Sequence, residues 1–122
     1  MHMFSELELR EAARAIASTL MKSEKAILKL KEGSAQYQMT AQGIAAYHIA
    51  LAFISRQGEN AALGSYSEDE LTQAMSVCTS VSTRVEKVLP KFAAGTPQHT
   101  LAVRIIRAFE IAQDLIRREQ GV

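Results

Sequence analysis

The chain has 122 residues, of which 48% are apolar and 22% charged, with a net charge of +1. That balance excludes a disordered chain, supplies enough residues for one core in a single domain over 1–122, and argues by itself for neither nucleic acid nor a membrane. The single Cys78 excludes an internal disulfide and suits a reducing compartment.

The first predicted helix opens on a capping box, Ser5 with Glu8, in which the hydroxyl accepts from the third amide and the carboxylate reaches back to the cap. Phe4 and Leu9 have the spacing of a hydrophobic staple. Apolar and small residues then follow the rhythm of a bundle seam at Leu9, Ala13, Ile16, Leu20, Ser23, Ile27 and Leu30. Gly33 is expected to stop this helix, since glycine accepts the left-handed conformation past a helix end. Ser34 then caps a second helix running from about Ala35 to Gln57. Its seam, Met39, Gly43, Ala46, Ala50 and Phe53, is rich in small residues that let a neighbour approach. Its most apolar part, Gly43 to Ile54, is shorter than a bilayer span and contains His48. With no basic-then-apolar leader at the N-terminus, a soluble cytoplasmic protein without membrane contact is expected.

The stretch from Gln57 to Tyr66 reads as the linker. Ser67 with Glu70 then forms a second capping box, stapled by Tyr66 and Leu71. The third helix carries Leu71, Met75, Cys78, Ser82, Val85, Leu89 and Phe92 on its seam, and Pro90 should loosen its last turn. Gly95, Thr96 and Pro97 repeat the stop, cap and first-turn signals, and the fourth helix runs to about Glu119. Its stripe is Leu101, Ile105, Ala108, Ala112 and Leu115, widened by Ile106, Phe109 and Ile116.

The two halves match each other. At a shift of 62, residues 4–60 align with 66–122 without a gap, with 17 identities in 57 pairs. The expected architecture is therefore all-α: an up-down-up-down four-helix bundle built from two tandemly duplicated helical hairpins. Large and small residues are exchanged between the copies, as at Leu20/Ser82, Ser23/Val85 and Gly43/Ile105, which points to one shared core. Such a chain is a pseudo-dimer within one monomer, or pairs further as a homodimer.

In that topology both Gly-Ser/Thr corners lie at one end. Residues 22–47 and 84–109 carry nine cations against three anions, a local net charge of +6 that leaves −5 on the rest. The candidate contacts for an anion or nucleic acid are Lys25, Lys29, Gln36, Lys87, Lys91, Gln98, His99, Arg104 and Arg107. Helix starts at the corners would add positive dipole ends beside the lysines. The bland alternative is that acids early and lysines late in a helix simply complement its dipole.

Catalytic signatures are lacking. The histidines have no metal-ligand spacing, and no Glu-x-x-His occurs. Glu8 and Glu11 have a spacing used for magnesium in some helical hydrolases, but a matching acidic pair on another helix is missing. Cys78 replaces Ile16 in the alignment and reads as core, and His48 as a boundary residue. No catalytic, metal or cofactor residue is assigned. The expected role is a non-enzymatic module that binds another protein, with a nucleic-acid or other polyanion binder as the alternative and a small metal-dependent enzyme as the remote one.

Overall fold

The protein is described by a computed structural model covering residues 4–55 and 66–121. Most of the expected linker, 57–65, lies outside the described residues. The described residues form four α-helices: α1 Glu6–Ile27, α2 Ala35–Ser55, α3 Glu68–Val88 and α4 Pro97–Gln120. Both predicted capping boxes form. Ser5 Oγ accepts from the Glu8 amide at 3.0 Å, and the Ser5 amide donates to Glu8 Oε1 at 3.0 Å. Ser67 and Glu70 repeat this at 3.1 and 3.0 Å.

The corners differ from expectation. Gly33 and Gly95 do not stop α1 and α3, which end earlier, at Ile27 and Val88. The chain then tightens: the Leu30 amide donates to Ile27 O at 3.2 Å and the Phe92 amide to Leu89 O at 3.1 Å. Pro90 sits in a short 3₁₀ turn, Leu89–Lys91, the loosening that a missing amide imposes. The glycines serve a separate turn. The Ser34 amide donates to Lys31 O at 3.0 Å and the Thr96 amide to Ala93 O at 3.2 Å. Gly33 and Gly95 occupy the third position of these turns with φ of 87°, while Glu32 and Ala94 keep negative φ. That is a type II turn, whose third residue must be left-handed. Ser34 and Thr96 then cap α2 and α4 by accepting from the Tyr37 and His99 amides at 3.1 and 3.2 Å. These corner bonds recur at a spacing of 62 residues, in step with the alignment.

The helices form a bundle in ring order, with α4 closing on α1. Across the diagonals α2 touches α4, whereas α1 and α3 do not meet among the described residues. Ala50 on α2 and Ala112 on α4, both fully buried, are small enough to let this pair of helices approach. Tyr47 and Phe109, counterparts in the alignment, meet edge to face with centroids 5.6 Å apart. A single core joins all four helices, with Ile16, Phe53, Cys78, Phe109, Ile111 and Ile116 its largest fully buried side chains. The buried Ser82 Oγ donates to Thr79 O at 3.1 Å and accepts from Gln113 Nε2 at 3.3 Å, so its polarity is satisfied.

The core stops short of the corners. No residue is buried from 21 to 42 or from 83 to 101. Met39 and Leu101, placed on the seam by their spacing, are 71% and 48% exposed. They too are counterparts, and Met39 borders an open groove with Ser76, Ser80 and Arg84 of α3. Each hairpin therefore carries an arm, a corner with its flanking helix turns, in which no side chain is fully buried, although Val85 still packs against the edge of the core.

Candidate functional site

Every charged candidate but the α4 arginines sits on one of the two arms. Lys25 and Lys29 belong to the first, and Lys87 and Lys91 to the second; all four are exposed. Gln36 and Gln98 are exposed in the first turns of α2 and α4. His99 is half-buried, and its amide is engaged by the Thr96 cap.

Arg107 is drawn away from this surface. Its Nη2 donates to Glu8 Oε2 at 2.8 Å, and its guanidinium lies 5.5 Å from the centre of the Phe4 ring. Glu8 belongs to the acidic start of α1, so Arg107, ten residues into α4, is paired across to that end of the bundle. Arg104 lines the same α1–α4 groove beside Glu8 and Glu11. Without these two arginines the arms hold seven cations against three anions. The polarisation is smaller than the sequence count, but it keeps its sign.

The cap and the pair act together on Glu8. The Ser5 amide and then the Arg107 guanidinium favour its ionised form and lower its pKa to about 2. Glu8 is thus already occupied, which weakens the reading of Glu8 and Glu11 as a cation-binding pair. Among the described residues, no group of three His, Cys, Asp or Glu side chains is placed to hold a metal ion. Cys78 is buried, and burial pushes its thiol up to about 12, so it is protonated in the folded protein. His48 is exposed with Nε2 3.9 Å from Glu24 Oε2. No described helix is long and apolar enough to cross a membrane.

Neither a protein-family model, a curated protein nor a solved structure matches this chain.

The arms also carry a feature that charge counting missed. Among the described residues seven large apolar side chains are exposed, and five of them lie on the arms: Met21, Leu28, Met39, Val88 and Leu101. Leu28, at 84% exposed, follows directly on the end of α1. Apolar spacing places Met39 and Leu101 on the seam and leaves Met21, Leu28 and Val88 off it, because nothing local to a helix says where its partners end.

Proposed function

We propose that the protein is a non-enzymatic interaction module whose two arms bind an acidic, amphipathic segment of another protein. The observation that carries this reading is the mixture on the arms: cations interleaved with large exposed apolar side chains on segments with no fully buried residue. Cations steer an acidic partner and speed its encounter. Exposed Leu and Met side chains supply area whose burial holds it. A polyanion such as nucleic acid would use the cations alone or stack bases on aromatic faces. The arm aromatics Tyr37 and Phe92 are half-buried, so the apolar residues favour a protein partner.

The two hairpins are read as descendants of one hairpin that paired with its own copy. The 17 aligned identities, the recurring corner bonds and the Tyr47–Phe109 contact between counterparts support that history.

The test is a titration of the full chain with an acidic amphipathic peptide and with labelled single- and double-stranded nucleic acid, at about 50 and about 200 mM salt. Two variants run beside it: Lys25, Lys29, Lys87 and Lys91 to Glu, and Leu28, Met39 and Leu101 to Ser. Peptide binding that weakens in both variants supports the reading. Nucleic-acid binding that falls steeply with salt, is lost in the Glu variant and is kept in the Ser variant puts the polyanion reading in its place.

A further inference from the structure

The two flanks of the bundle are built alike but finished differently. On the α1–α4 flank, Arg107 reaches Glu8 across a groove of about 180 Å³ whose walls include Ala12 and Ala108. The 62-residue shift carries Glu8 to Glu70, Ala12 to Ala74, Ala108 to Ala46 and Arg107 to Ala45. These four counterparts line a crevice of about 240 Å³ between α2 and α3. Glu70 repeats the cap geometry of Glu8, with Oε1 accepting from the Ser67 amide at 3.0 Å. On this flank the arginine is missing. Ala45 stands at its position, and no cation pairs with Glu70 among the described residues. The crevice has the same carboxylate at its rim, apolar walls, and room where the stem of Arg107 would lie.

We propose that the α2–α3 crevice is a seat for an arginine side chain of a partner protein. The methylenes would lie on Ala45, Ala46, Ile49 and Ala74, and the guanidinium would meet Glu70 with Asp69 beside it. The arginine-lined groove on the opposite flank supplies the template: the matching cap glutamate, Glu8, held by the same backbone bond, accepts a guanidinium hydrogen bond there. Arginine fits better than lysine because its planar fork can hold a carboxylate while its stem packs on apolar walls. The seat is separate from the arms, and it stands whether or not they bind an acidic segment.

NMR spectra of the full chain, with amides and methyls resolved, test this during titration with an acetylated and amidated Ala-Arg-Ala tripeptide. The same tripeptide with citrulline is the uncharged control. Saturable shifts confined to Ala45, Ala46, Ile49, Glu70 and Ala74 are expected, with citrulline at least about tenfold weaker. Glu70→Gln keeps a side chain that can close the capping box while removing the charge, and is expected to weaken binding about tenfold. Ala45→Arg supplies the side chain from within the chain, so it should abolish binding and raise Tm. If that variant does not fold, Ala45→Leu fills the crevice and blocks it equally. Shifts spread evenly over the acidic starts of α1 and α3, or binding unchanged by the blocking variant, would overturn the proposal. So would a protein that dimerises through this crevice without peptide, since the seat would then belong to a second copy.

Discussion

Glycines show how one residue type does opposite work at different places in a chain. Gly33 and Gly95 sit at φ of 87° with nothing within 4 Å of an added Cβ, so a substitution there meets backbone strain and no clash. Ala at either position is expected to cost about 1–2 kcal/mol, read by urea unfolding. Gly43 lies inside α2 with ordinary backbone, and an added Cβ would meet Tyr47 Oη at 3.5 Å, a normal contact. Gly43→Ala is therefore expected to stabilise by about 0.5–1 kcal/mol, because a helix interior favours Ala. A Gly43→Ala protein less stable than the parent would show that α4 needs the missing methyl.

Glu8 supplies the pH dependence at the same scale. Its folded pKa is depressed to about 2, so its contribution is fully present above the unfolded value of about 4.3. It is lost as pH falls through that window toward 2, because the unfolded chain takes up the proton first. Arg107→Ala removes one of the two main causes of the shift. Its stability profile between pH 5 and pH 2 should be flatter than the parent's, measured by denaturant unfolding at stepped pH. Parallel profiles would show that the Ser5 amide alone sets the titration.

Among the elements, α2 and α4 are the central pair, and the arms are the loosely held parts. Phe109 is fully buried against Tyr47, so Phe109→Ala is expected to cost about 3–5 kcal/mol. Leu101→Ala, on the same helix but 48% exposed, should stay within about 0.5 kcal/mol of the parent. Amide hydrogen exchange extends the same argument along the chain. Amides from 21 to 42 and 83 to 101 should exchange through local opening, ahead of those beside Ile16, Phe53, Cys78 and Ile111. Uniform protection along α1, up to Ile27, would mean that the arm is held by more than its own hairpin. Element types and helix starts were legible in the sequence because capping boxes and Pro or Gly signals act within one turn. The ends of α1 and α3 were not, since two different turns follow each other there and glycine serves only the second.

For the molecule as a whole, the core depends on both hairpins at once. The α2–α4 diagonal joins Tyr47 and Phe53 on one hairpin to a core shared with Phe109 and Ile111 on the other. A peptide of residues 66–122 alone loses that cover and leaves the α4 stripe open to water. It is expected to show no cooperative unfolding when dilute and to self-associate as it is concentrated, followed by circular dichroism and sedimentation. A monomeric, cooperatively folded fragment would show that one hairpin suffices.

By itself the sequence determined four helices, their N-terminal caps, the two matched corners and the polarity of charge between helix starts and corners. Each of these rests on interactions within a few residues, where spacing alone identifies the partners. Only the tertiary structure decided where the core ends, that Met39 and Leu101 lie outside it, that Arg107 belongs to Glu8 and not to the basic corner, and that Ala45 leaves the opposite flank open. These are facts about segments up to 99 residues apart in the chain. A periodic stripe shows which face of a helix is apolar, but cover along its length is set by the position of a neighbour, and that information is spread over the whole fold.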